Sequence, residues 1–292
     1  MAFLKRQTSG SVVCPSCGRL VGIQDEACYN CGRRNPGMWG YAGSLRRLGR
    51  DMGVSKIILG GCALLYIISL AIDPKNIGGG GLFGLLGPSR VALFTLGASG
   101  AVPVFELDRW WTLLSAGWLH GGLLHIGFNL YWLRMLVPAS VEQYGAGRML
   151  ILYTVAGALG FAASSTAGYV FPGVPLLGGA GFTVGASAPL FGLLGALIYA
   201  GRRGGSSELS RMAKQWALVL FIFGLLFPGV DNWAHAGGFV GGYFGGKILD
   251  PMKPERLDHL IAGLLCLLLT LVAVVLSAVT GVSLIRQMYG VG

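Results

Sequence analysis

Beyond residue 56 the chain alternates between long apolar runs and short polar breaks. Seven runs approach the length that spans hydrocarbon as a helix, about 17 to 25 residues. They cover 57–72, 113–136, 149–171, 182–200, 216–230, 233–249 and 260–285. The first and fifth are short, and the fifth is weak by hydropathy alone. Residues 1–56 are polar and hold nine of the 22 Lys and Arg, which predicts a segment outside the bilayer. No cleavable signal peptide is expected, because nothing apolar of useful length precedes Ile57.

Charge then orients the runs. With a cytosolic N-terminus and seven helices, 18 of the 22 basic residues fall inside, leaving Lys75, Arg90, Arg109 and Arg286 outside. Membrane proteins show this asymmetry. Omitting the fifth helix would invert the sixth and move Lys247, Lys253 and Arg256 outside. The prediction is an all-α polytopic membrane protein, multi-pass in the cell membrane. Three segments follow: 1–40 as a cytosolic module, 41–55 as a basic juxtamembrane linker, and 56–286 as the helical bundle.

Composition agrees. Apolar residues make up 53% of the chain and charged residues 12%, against about 25% charged in a soluble domain. The 50 glycines suit helices that approach closely in lipid, except Gly78 to Gly81, which reads as a flexible loop. The net charge of +10 invites a nucleic-acid partner, but the basic residues follow topology, so none is expected. The run from Ser44 to Arg50 fits either an interfacial helix gripping anionic lipid or a solvated linker that sets topology.

In the N-terminal module, Cys14, Cys17, Cys28 and Cys31 form C-x2-C-x10-C-x2-C, with Gly18 and Gly32 after each pair. Two such turns can close four thiolates tetrahedrally on one ion, and the segment resembles a zinc ribbon. Structural zinc is the expectation; iron in the same cage and a redox pair are the alternatives. A closed site has no open position for catalysis, so the module's use would be structural or as a surface for a protein partner. Cys62 and Cys266 stand alone in spans and are expected to be inert buried thiols.

Polar residues inside spans are costly and are treated first as functional. The second run carries His120, His125 and Asn129, the last two sharing a face at i,i+4. The fourth carries Ser187, about five residues in, roughly 8 Å along the axis. The sixth carries His235. These three helices enter from the outer face, so the side chains can meet in the outer half of one bundle. Stripes of small residues (Ala188, Gly192, Ala196; and glycine pairs at 237/238, 241/242 and 245/246) allow the close approach. A serine, an imidazole and further donors are parts of acyl-transfer chemistry. The competing readings are a back-bonded serine hydroxyl, a structural His120, and a metal or proton-relay site of the histidines with Asp231. No H-E-x-x-H spacing supports metal.

At these residues the chain becomes recognisable. G-x-S followed by a small residue, H-x-x-x-x-H-x-x-x-N and A-H-x-G-G-x-x-x-G together resemble the rhomboid family of intramembrane serine proteases, over about residues 56–285. The resemblance implies a bundle of six plus one transmembrane helices. It implies Ser187 as nucleophile and His235 as general base, in a dyad with no acidic third member. Asp231 is then a loop residue. It further implies His125 and Asn129 as oxyanion donors with the Ser187 N–H, and a structural His120. Two positions depart from the family pattern: Ala188-Pro189 follows the serine where glycine is common, and Trp111 precedes Thr112 where an arginine is usual. The second puts an arginine-dependent loop anchor in doubt.

The function so implied is cleavage of transmembrane-anchored protein substrates near the outer face, in contact with membrane lipid. A non-proteolytic relative that binds membrane clients, which typically lacks the serine or histidine, is the alternative. A channel would need a continuous polar path, whereas the inner half of the bundle is glycine and aliphatic.

Overall fold

The computed structural model describes residues 6–44, 53–78, 84–175, 177–227 and 229–289. Residues 45–50 of the basic run, Lys5 and residues 79–81 of the glycine loop lie outside them.

Two short strands, β1 (Ser11–Val13) and β2 (Leu20–Gly22), pair antiparallel with Val12 opposite Val21. Val12, Val21, Ile23, Cys14 and Cys28 close a small core under them. Helices follow: α1 (Val54–Ile72), α2 (Arg90–Leu96), α3 (Thr112–Ser115), α4 (Leu123–Tyr144), α5 (Ala146–Val170), α6 (Ser187–Arg203), α7 (Ser207–Leu226), α8 (Asn232–Ile248) and α9 (Leu257–Tyr289). α1, α5, α7 and α9 are each long and apolar enough to cross a membrane. α4, α6 and α8 run among them with 22, 17 and 17 residues.

Two predicted runs begin later as helix than expected. The run 113–136 is broken by Gly121-Gly122, with Gly122 fully extended, so the long helix starts at Leu123 and His120 precedes it. The run 182–200 starts extended: Thr183 and Ser99 exchange both backbone hydrogen bonds (2.7 and 3.0 Å). Gly185 then turns at φ +141°. Ser187 is therefore the first residue of α6 rather than the sixth. Hydropathy cannot see either break, because the glycines that make them read as weakly apolar.

α6 is the centre of the bundle, with 13 of its 17 residues buried. Its partner α8 runs parallel to it. Ala188 meets Gly238, Gly192 meets Gly242, and Ala196 meets Gly246. A Cβ on Gly238 or Gly242 would overlap the carbonyl of Ala188 or Gly192. The other glycine of each pair faces α5: Gly237 against Ala163 (2.7 Å for an added Cβ), Gly241 against Leu159 (2.8 Å) and Gly245 against Leu152 (3.0 Å). The glycine pairs are thus two stripes serving two neighbours. Close backbone approach of this kind is how helices pack in lipid, where no hydrophobic force drives them together.

At one end of the bundle, the buried Arg148 caps the C-terminus of α8 through the Leu249 and Asp250 carbonyls (both 2.9 Å). Glu255 returns the favour to α5, accepting from the Arg148 N–H (3.0 Å). The N-terminal module docks beside this loop. Leu257 N–H donates to the Pro15 carbonyl (3.0 Å), and Arg33 pairs with Asp258 (3.4 Å).

Candidate functional site

Ser187 opens α6, so no helical carbonyl lies four residues before it to hold its hydroxyl. Its N–H is one of the donors that every helix start leaves without an intrahelical partner. Pro189 sits in the first turn, where a missing N–H costs nothing, and packs against Gly157 and Gly117 (3.1 and 3.3 Å for an added Cβ).

His125 is fixed near the start of α4. The Gly121 N–H donates to His125 Nδ1 (3.2 Å). An accepting Nδ1 carries no proton, so the ring N–H is at Nε2. A Cβ on Gly185 would stand 2.7 Å from this Nε2 and 3.5 Å from Ser187 Oγ. The Nε2–H and the hydroxyl therefore border one small space that glycine leaves open. One turn along α4, Asn129 is 1% exposed. Its Nδ2 donates to the His125 carbonyl (2.9 Å), which leaves one amide hydrogen free. Its Oδ1 is buried without a protein partner.

His235, in the first turn of α8, stacks on Phe191 with ring centroids 4.2 Å apart and planes at 15°. Phe191 is four residues from Ser187 and shares its face. The α6–α8 register thus brings imidazole and hydroxyl to one side of the same helix end. They are not hydrogen-bonded to each other among the described residues, and His235 Nδ1 is buried without a partner. His120 is fully buried before α4 and meets the His125 ring edge-on (5.2 Å, 67°). Asp231 does not join the histidines: its oxygens take the Ala234 N–H (3.0 Å) and the Ser164 hydroxyl (2.7 Å).

The loop before the site does have an arginine anchor, from a position the sequence pattern did not mark. Arg109, 1% exposed, donates to the carbonyls of Phe94 (3.1 Å) and Ser277 (2.9 Å). Trp111 Nε1 donates to Ser277 Oγ (3.1 Å). Loop and α9 are tied by residues 109 and 111.

The four cysteines of the N-terminal module converge. Cys14 Sγ lies 3.8 Å from Cys31 Sγ and Cys17 Sγ 3.6 Å from Cys28 Sγ, all four within 4.8 Å. Thiolates about 2.3 Å from a tetrahedral zinc stand about 3.8 Å apart, so the spacing fits a metal and is too wide for disulfides. The Arg19 N–H helps lower Cys17 to about 6. Cys31 is raised to about 12: the Arg33 N–H lowers it, but burial and the three neighbouring sulfurs outweigh that pull. Holding all four as thiolates at this spacing calls for a cation. Among the described residues no second group of His, Cys, Asp and Glu comes together in this way.

A family model described as Rhomboid domain matches residues 107–252, half of the chain. The chain belongs to the rhomboid family. It is similar to Rhomboid protease GluP of Bacillus subtilis (strain 168), 34% identical over 144 residues, covering 48% of this chain and 26% of that one. RHOMBOID-like protein 4 of Arabidopsis thaliana is 34% identical over 169 residues, 56% of this chain and 40% of that one. Inactive RHOMBOID-like protein 8 of the same plant is 30% identical over 161 residues, 53% and 43% of the two chains. The chain thus spans less than half the length of these rhomboid relatives.

Proposed function

We propose that this chain is an intramembrane serine endopeptidase that cleaves transmembrane-anchored proteins near the outer membrane face. The observation that carries the reading is the parallel α6–α8 pair, which sets His235 on Phe191, along the face that Ser187 begins. His235 takes the Ser187 proton as Oγ bonds to the scissile carbonyl carbon. His125 Nε2–H, the spare Asn129 N–H and the Ser187 N–H receive the developing oxyanion. His235 then protonates the leaving nitrogen as the C–N bond breaks, and water releases the acyl group by the same route. A helical substrate has its carbonyls satisfied, so helix-destabilising residues are expected near the cleaved bond. A fluorophosphonate should label the native chain and not Ser187→Ala. Absence of labelling on the folded native chain would favour the client-binding alternative, which the inactive relative's name keeps open.

Asn129→Ala should lower kcat by about 10² to 10³ with KM little changed, the usual worth of one oxyanion donor. His125→Ala should do the same. Unchanged kcat in both, measured on a model transmembrane substrate, would make them structural.

The reading extends to the whole chain: a zinc ribbon at 1–40, a basic linker at 41–55 and the protease bundle at 56–286, with a cytosolic N-terminus. Cys14, Cys17, Cys28 and Cys31 hold zinc, which supplies folding energy to so small a module. Metal analysis should find about one zinc per chain, lost with local structure in Cys28→Ser. Deleting 1–40 should leave cleavage of a simple substrate in detergent, because the Arg33–Asp258 pair is too exposed to contribute more than about 1 kcal/mol. A defect confined to native clients in cells would mark the ribbon as a partner surface.

A further inference from the structure

A single carboxylate touches both halves of the site without touching either reacting group. Asp231 Oδ1 accepts from the Ala234 N–H and so caps α8, the helix that carries His235. Its Oδ2 accepts from Ser164 Oγ on α5 (2.7 Å). The same Ser164 Oγ accepts the Ala180 N–H (3.1 Å), in the extended segment that leads to Gly185 and Ser187. On its other edge that segment is paired to residues 99–102, with Ala101 N–H donating to the Ala180 carbonyl (2.9 Å). Ser164 is fully buried, and a Cβ on Gly179 would overlap its carbonyl, so the segment has little room to shift against α5.

We infer that the Asp231–Ser164 pair is the positioning device that sets the distance between His235 and Ser187, by locking the start of α8 and the 179–186 segment to one point on α5. This rests on the protease reading above. Asp231 is a positioning residue and not a third member of the dyad, since both of its oxygens are engaged elsewhere and His235 Nδ1 has no partner. A misplacement of about 1 Å between reacting groups can cost about a hundredfold in rate, so a lock of two hydrogen bonds is a sensitive control on activity.

The test separates cap from lock. Asp231→Ser keeps a capping hydroxyl but is too short to reach Ser164. Asp231→Asn keeps the cap oxygen and can donate to Ser164 Oγ, which has a second lone pair. On the full chain in detergent, Asp231→Ser and Ser164→Ala are expected to slow fluorophosphonate labelling of Ser187 about tenfold or more. Substrate KM should hold while kcat falls. Hydrogen exchange over 179–186 should rise by a similar factor. Asp231→Asn should stay within about threefold of native. Ser206→Ala, which removes the analogous cap of α7, should lower thermal stability comparably without slowing labelling.

Native-rate labelling and unchanged exchange in Asp231→Ser would overturn the inference. So would an Asp231→Asn as slow as Asp231→Ser, because a lost charge rather than a lost lock would then be at work. A native chain that does not label defeats the protease reading instead, and the exchange measurement still decides whether the lock exists.

Discussion

Ser187→Ala and His235→Ala are each expected to abolish cleavage of a model transmembrane substrate, by several orders of magnitude, while the bundle stays folded. The two side chains would act as one unit, so the double variant should be no worse than either single one. Folding should survive because neither side chain holds the bundle together. Ser187 is half-buried at a helix start, and His235 contributes mainly its stack on Phe191. A kinetic comparison in liposomes with a matched thermal melt reads both halves of the expectation. Robust cleavage by Ser187→Ala would end the assignment of Ser187 as nucleophile.

The second large effect is expected where no side chain exists. Gly242→Val should leave little folded protein, because its Cβ would overlap the Gly192 carbonyl. Backbone cannot swing aside as a flexible side chain can, so α6 and α8 would have to part along their length. Overpacking a core usually costs about 1 to 3 kcal/mol, and a backbone clash lies at or beyond that upper end. Gly60→Ala is the control, since nothing lies within 4 Å of a Cβ there. It should be neutral or stabilising by about 1 kcal/mol. Equal thermal stability of the two variants would mean that the helix pair is held by something other than close approach.

Much of this was legible in the sequence, and the failures have a common cause. Each of the seven apolar runs contains or overlaps a helix, because hydropathy reports burial in lipid or protein directly. The helix starts at Leu123 and Ser187 are not legible because they depend on backbone torsions at Gly122 and Gly185, which carry no hydropathy signal. The candidate site residues stand out as polar groups inside apolar runs. What could not be read was which of their atoms are free: the Nε2–H of His125 is defined by a hydrogen bond from Gly121. Asp231 reads in the sequence only as a loop residue, since its tie to Ser164 is formed across 67 residues of chain. Arg109 reads in the sequence only as an outer charge; its burial against α9 depends on a contact with Ser277, 168 residues away. The cysteine spacing, by contrast, was enough, because four thiols at that separation have few ways to be arranged other than around one point.

The parallel run of α6 and α8 has an electrostatic consequence. Each helix presents about half a positive charge at its N-terminus from aligned peptide dipoles, and both N-termini lie at the same end; that of α8 is met by the Asp231 carboxylate that caps it, while that of α6, at Ser187, has no side-chain cap. This field belongs to the backbone, so no side-chain substitution removes it. It favours negative charge at the spot where an oxyanion would form, even with His125 and Asn129 both truncated. A variant lacking those two donors should therefore fall to a floor of activity rather than to zero.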